Sequence, residues 1–373
     1  MTPSHPPAQG RTQLITFHLP QFYPTPQNDV WWGKGFTEWT SVTRTTPRFR
    51  GHYQPHLPAD LGFYDLRMPE ARAAQADLAR QYGLGAFCYY HYWFMGDRLL
   101  ERPVDELIAS GQPDFPYCLC WANHHWTRNW DGQEQAMLQR QDYSVEDDHR
   151  HFEWLSRAFR DPRYLRLNGR PVFLIYRGSG MPDVKATLLR WRDLARKAGI
   201  GELFLAHVES SKADLGKCRE WGFDAGVEHA PNWAILPPPQ RRTFLWRVLR
   251  KLGLSEKAWG QHAFFDYGEI RKAMTAQPEP DYLQFRTVLP MWDNSARRKS
   301  AAYVLLNSSP AAYQEWLEET IRKAKRLEDG SRVVFINAWN EWAEGNHLEP
   351  CQKWGHAYLE ATQAALRNTE NSP

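Results

Sequence analysis

Arg332-Val-Val-Phe-Ile-Asn-Ala-Trp-Asn-Glu-Trp-Ala-Glu-Gly-Asn-His-Leu-Glu-Pro350 is the stretch from which the rest of the chain is read. It opens with a short apolar run, Val333 to Ile336, set off by Gly330-Ser331, which is the pattern of a buried strand. Asn340, Glu341, Trp342 and Glu344 follow, then Gly345. Two carboxylates three residues apart, crowded by Trp339 and Trp342, thus stand where a buried strand empties into a loop. If the loop turns helically, i and i+3 side chains have Cβ atoms about 5–6 Å apart. Acids that close to each other and to indole rings cannot both ionise at their ordinary values. One then stays protonated while the other stays a base, the division of labour that glycoside cleavage requires. The competing reading is a surface loop with two solvated acids; the flanking tryptophans and the strand end favour a site.

Working back through the chain, the same pattern of an apolar run ending in polar and aromatic residues recurs. Strands are predicted at Thr12–Phe17, Leu84–Tyr92, Tyr117–Ala122, Arg170–Tyr176, Leu203–Val208, Phe223–Val227 and Arg286–Met291, with Val333–Ile336 the eighth. Between and after them, helices are predicted at Pro69–Gly83, Pro103–Ser110, Val145–Phe159, Val184–Ala198, Lys212–Trp221, Tyr313–Arg326 and Gly355–Leu366. Eight strands alternating with helices predict an α/β fold, a (β/α)8 TIM barrel, with its active site at the C-terminal ends of the strands. A doubly wound open sheet would want an early phosphate-binding glycine loop, and Gly83-Leu-Gly85 lacks the third glycine. The expected organisation is one barrel domain with long βα loops over residues 12–367, between tails 1–11 and 368–373, with an insertion at about 231–281 between strands 6 and 7. Inside that insertion Arg241–Leu254 is basic and amphipathic. A helix packed on the barrel with solvated arginines outside is the plainer reading; peripheral contact with a membrane or an anionic lipid-linked substrate is the other.

Composition narrows the partners. Forty-six basic residues stand against 43 acidic ones, a net charge of +3, so no field for nucleic acid is implied. Cys88, Cys118, Cys120, Cys218 and Cys351 form no CxxC pair and read as reduced, buried thiols. Met1–Arg11 has no apolar core segment, so a cytoplasmic location is expected. No stretch approaches a membrane span of about 18 apolar residues. His124-His125 are adjacent, HExxH is absent, and Cys118 and Cys120 lack zinc spacing, so neither a metal nor another cofactor is expected. No G-x-S-x-G elbow supports a serine hydrolase.

The 18 tryptophans, beside 16 tyrosines and 18 phenylalanines, lie largely among Asn, His, Lys and Glu rather than Val, Leu and Ile. Core packing is the general use of aromatics, but this polar company suits sugars, whose apolar ring faces stack while neighbouring amides, imidazoles and carboxylates bond the hydroxyls. The expected substrate-binding residues are therefore His91, Trp93, Trp121, Asn123, Trp126, Tyr176, Trp292 and Asn340, with Glu209 and Glu228 at the ends of strands 5 and 6 as either sugar contacts or structural partners. Glu38, between Phe36 and Trp39, reads as a loop anchor rather than a ligand.

Six motifs carry a resemblance: Leu19-Pro-Gln-Phe-Tyr23, Asp29-Val-Trp-Trp-Gly-Lys-Gly-Phe-Thr-Glu-Trp39, Gly51-His-Tyr-Gln-Pro-His56, Cys88-Tyr-Tyr-His-Tyr-Trp-Phe94, Cys120-Trp-Ala-Asn123 and Trp339-Asn-Glu-Trp-Ala-Glu-Gly345. Over about residues 12–365 the chain resembles the WbsX family, which is similar to glycoside hydrolase family 99. That resemblance implies a (β/α)8 barrel and a retaining cleavage of α-linked, manno-configured or deoxy sugars of a bacterial oligosaccharide or polysaccharide. It further implies that Glu341 is a base on the sugar 2-hydroxyl, giving a 1,2-anhydro intermediate, and that Glu344 protonates the leaving oxygen and later activates water. Ala343 stands where the hydrolases carry histidine. Family members are also labelled glycosyltransferases of O-antigen assembly, so transfer is the rival activity. A sugar-binding protein without catalysis is the third, disfavoured by the retention of both glutamates.

Overall fold

The structure, a computed structural model, describes residues 10–128, 133–240 and 258–370. Eight parallel strands form its centre: β1 (Thr12–His18), β2 (Ala86–Phe94), β3 (Tyr117–Trp121), β4 (Arg170–Ile175), β5 (Phe204–Glu209), β6 (Ala225–Glu228), β7 (Gln284–Val288) and β8 (Arg332–Ile336). Each pairs with the next in sequence, and β8 returns to β1 with Thr12 opposite Arg332 and Thr16 opposite Ile336, so the sheet closes. The fold is the (β/α)8 barrel that the alternation of strands and helices predicts.

A helix follows every strand: α1 (Pro69–Gln81), α2 (Arg102–Ser110), α3 (Val145–Phe159), α4 (Val184–Lys197), α5 (Cys218–Trp221), α6 (Tyr267–Thr275), α7 (Pro310–Lys323) and α8 (Ala357–Glu370). Local chemistry starts them where the sequence signals it. Ser144 caps α3 by accepting from the Asp147 N–H, and Glu146, Asp147 and Asp148 favour its positive end. Ser309 caps α7 ahead of Pro310 at its first position. Four expectations need correcting. Lys212–Trp221 is helical only over its last four residues, because Gly216 takes φ +72 and breaks the turn before them. Residues 267–275, placed in the insertion, are the barrel's own sixth helix, and Ala263–Asp266 before it pairs in parallel with Tyr303–Leu306. The closing helix runs past 367 to Glu370. Within the long loop after β1, where no helix is predicted, lie the helices Pro26–Trp32 and Glu38–Arg44. The amphipathic segment 241–254 lies outside the described residues. Among the described residues no helix is long and apolar enough to cross a membrane.

The two faces of each strand have different neighbours, and this alternation positions the site. Phe17 packs on Tyr90 and Phe335, Phe335 on Phe285, and Phe285 on Phe204, an aromatic belt filling the barrel. The opposite registers meet the helices: Trp121 packs on Trp191 of α4, and His18 bonds Gln75 of α1. Apart from Tyr90, half-buried at the barrel mouth, both layers are almost wholly shielded from water.

Candidate active site

Past the C-terminal ends of the strands the barrel opens into a cavity of about 720 Å³, within the usual range for ligand sites. Its floor is the turn after β8. Asn340–Glu341 pairs with Asn346–His347, and the residues between, Trp342–Glu344, make one 3-10 turn. Gly345 reverses the chain at φ +55, where a Cβ would come within 3.0 Å of Asp293, so only glycine fits. Asn340 fastens this turn to the first strand: its Oδ1 accepts from the Leu19 N–H at 2.7 Å and its Nδ2 donates to the Leu19 carbonyl at 3.0 Å. Trp342 stacks on His347 at 3.8 Å and donates to Glu349, which also accepts from Gln75 and Tyr64.

Glu341 and Glu344 both face the cavity and share one cation. Arg297, on the loop after β7, donates to Glu344 Oε1 at 2.6 Å and to Glu341 Oε2 at 2.8 Å, and reaches the buried Glu38 at 2.7 Å. Burial pushes the Glu341 carboxyl up to about 8; Arg297 pulls it down, and Glu344 and Glu38 push it further up. Burial likewise raises Glu344, again opposed by Arg297 and reinforced by Glu38. Among the described residues three carboxyls bond this one guanidinium, Arg298 also draws Glu344 down, and burial outweighs both cations, so the pair keeps a proton near neutrality.

Two aromatic walls rise from this floor. Trp126 and Tyr92, with Trp31 behind, form one; Trp233, Trp292, Tyr303 and Phe265 form the other. Across the cavity the Tyr176 hydroxyl lies 3.1 Å from His229 Nε2 and His229 Nδ1–H donates to the Pro231 carbonyl, so in the neutral imidazole Nε2 accepts the phenol proton. Burial holds that imidazole down to about 4.

Of the residues expected from sequence, Glu341, Glu344, Trp126, Tyr176 and Trp292 line the cavity together. His91, Trp93, Trp121, Asn123, Glu209, Glu228 and Asn340, expected at substrate, are buried in partners outside it. His91 stacks on Trp154 and bonds His151. Trp93 donates to Asp147, and Trp121 to the Trp93 carbonyl. Asn123 clamps the Arg177 backbone on both sides. Glu209 accepts from Tyr282, Gln284 and the Gly216 N–H. Glu228 meets Arg286 and the Thr287 N–H. The reason is common to five of them: His91, Trp93, Trp121, Glu209 and Glu228 sit in the strand registers that point at the helices. The cavity instead takes Tyr90, Tyr92, His229 and Asn337 from the other registers. Strand period two was the signal that would have found these. Arg297 and Trp233 lie in loops and carry no such signal.

Residues 14–362 match the family described as Glycosyltransferase WbsX. The chain is 45% identical over 354 residues to the uncharacterized protein WxcX of Xanthomonas campestris pv. campestris, covering 95% of this chain and 49% of that one. The chain therefore spans about half the length of the curated relatives it matches. Among solved structures, the GH99 endo-α-mannosidase from Bacteroides thetaiotaomicron is 15% identical with a TM-score of 0.54, over 96% of this chain and 97% of that one. A glycoside hydrolase-like protein is 14% identical with a TM-score of 0.59, over 97% of each. At such identities the likeness is one of fold.

Proposed function

Because this chain belongs to the WbsX family, we propose that it is a carbohydrate-active enzyme that cleaves an α-glycosidic bond of a bacterial polysaccharide with retention, through Glu341 and Glu344. The observation that carries the reading is the pair itself: two buried carboxyls on one guanidinium, at the floor of an aromatic-walled cavity on the C-terminal face of a barrel. One guanidinium spanning both keeps them near each other, which favours the retaining class at about 5–5.5 Å over the inverting class at about 6.5–9.5 Å. In the proposed sequence Glu341 takes the proton of the sugar 2-hydroxyl as that oxygen closes on the anomeric carbon. Glu344 gives its proton to the departing glycosidic oxygen. Glu344 then takes a proton from water as the water opens the three-membered ring and the 2-oxygen recovers its own from Glu341. The sequence starts with the pair's one proton on Glu344, although burial pushes Glu341 up to about 8, so the shared proton has to sit on Glu344 when the 2-hydroxyl meets Glu341.

The aromatic walls would stack the rings on either side of the scissile bond. A manno-configured substrate is proposed on the likeness in fold to the endo-α-mannosidase, and a deoxy sugar as its apolar variant. The test is oligosaccharide cleavage by Glu341→Gln and Glu344→Gln: turnover equal to the parent's in either would end the assignment. The family's description favours a second reading, transfer of a sugar from a nucleotide donor to an acceptor. A ligand that binds only the native state raises its apparent stability. Thermal stabilisation by nucleotide sugars, with none by free oligosaccharides, would decide for transfer.

A further inference from the structure

Glu38 opens the helix Glu38–Arg44, far from the other acids in sequence, and its side chain is wholly buried. It does not line the cavity, so it is no substrate contact. Its Oε1 accepts from Arg297 at 2.7 Å and from the backbone N–H of Ala343, the residue just before Glu344, at 3.0 Å. One oxygen thus ties the shared cation to the turn that carries both acids. Trp39, next along the helix, packs on Trp342 of that turn at 5.3 Å. The second oxygen, Oε2, is buried without a hydrogen-bond partner among the described residues. An anchor for one N–H needs only a neutral acceptor, whereas a buried carboxylate with an unsatisfied oxygen is costly. The charge itself therefore calls for a use.

The groups facing the acids account for that use. Glu341 is met by Arg297, Glu344 and Glu38, with the phenols of Tyr90 and Tyr92 beyond. Glu344 is met by Arg297, Glu38 and Arg298, with Tyr176 across the cavity. His52 and Asp293 pair with each other behind Gly345. Among the described residues three carboxyls, Glu38, Glu341 and Glu344, bond Arg297, while Arg298 also faces Glu344; without the Glu38 charge Arg297 would draw the pair down more strongly. We infer that Glu38 is a positioning residue that fixes Arg297 and, by its charge, keeps one proton on the Glu341–Glu344 pair. The inference rests on the reading of that pair given above. Its electrostatic sign agrees, since Glu38 pushes both carboxyls upward.

The test follows the carboxyl carbons of Glu341 and Glu344 by NMR titration of the glutamate-labelled 373-residue chain, assigned with Glu341→Gln and Glu344→Gln. Glu38→Gln keeps the acceptor and removes the charge, and both titrations are expected to fall by about one pH unit. The alkaline limb of any turnover profile should move the same way. Glu38→Asp keeps the charge but withdraws it, so a smaller fall is expected; it also stands in if Glu38→Gln does not fold. Unchanged titrations in a folded variant, or a uniform loss of turnover without a shift, would reduce Glu38 to an anchor and overturn the inference. Because the titrations need no substrate, a shift without any cleavage activity would uphold this inference while counting against the hydrolase reading.

Discussion

Two buried clusters of arginine and glutamate differ in a way that defines the site. Behind β6, Glu228 meets Arg286 at 3.4 Å, and burial pushes its carboxyl up to about 7. At the barrel mouth Glu341 meets Arg297 at 2.8 Å, and burial pushes it up to about 8. The perturbation is similar in size and cause. What differs is surroundings: Glu228 borders a cleft of about 20 Å³ among helix side chains, Glu341 a cavity of about 720 Å³ with aromatic walls. The bonded partners differ too: among the described residues Arg286 pairs with one carboxyl and Arg297 with three. A raised carboxyl thus records burial; space for a substrate and an excess of acids mark a place where chemistry can occur.

Replacing each cluster's acid tests this contrast most strongly. Glu341→Gln and Glu344→Gln should each lower oligosaccharide turnover on the order of 10²–10⁴-fold, while Glu228→Gln, measured in the same assay, leaves it within about twofold of the parent, as expected of a group away from the chemistry. The arginines come next. Arg297→Ala strands three carboxyls and should cost about 3–5 kcal/mol in denaturant unfolding at pH 7, against about 1.5–3 kcal/mol for Arg286→Ala. The Arg297→Ala loss should shrink at pH 5, where the stranded acids can protonate.

Aromatic residues on the two registers give a smaller but cleaner separation. Trp121→Ala, on the helix side, should cost about 3–5 kcal/mol of stability. Trp233→Ala, on the cavity wall, should leave stability nearly unchanged and raise KM roughly fivefold with kcat kept, the loss of one stacking face. The smallest effect is a slope. Glu228 titrates at about 7 when folded against an ordinary 4.5, so its folded form keeps a proton that the unfolded chain has released. Its contribution is full below 4.5 and is lost as pH rises through about 7, so stability should fall over that window. Glu228→Gln should flatten the fall in thermal melts, while Glu341 and Glu349 keep the remainder.

The barrel was legible because its strands are short apolar runs bounded by turn residues, and β1, β3, β4 and β8 match their sequence bounds to within a residue or so. The acid pair was legible because both members sit on one short turn. At the ends of strands, position along the strand misleads without its alternation: His91 faces the helices, while its neighbours Tyr90 and Tyr92 face the cavity. The helices of the β1 loop had a local sign in Thr25-Pro26, a cap followed by a first-turn proline, hidden by the surrounding aromatics. Arg297 had none, because what makes it matter is which acids a distant loop delivers to it.

The clasp between Asn340 and the Leu19 backbone spans 321 positions of sequence. The floor of the cavity therefore depends on both extremities of the barrel having met. A chain still emerging, with seven strands in place, has neither acid; one lacking its first strand lacks the register that brings the Leu19 backbone to Asn340. Any turnover recovered on refolding should consequently arrive with final ring closure, later than helix content, and so serve as a stopwatch for that event.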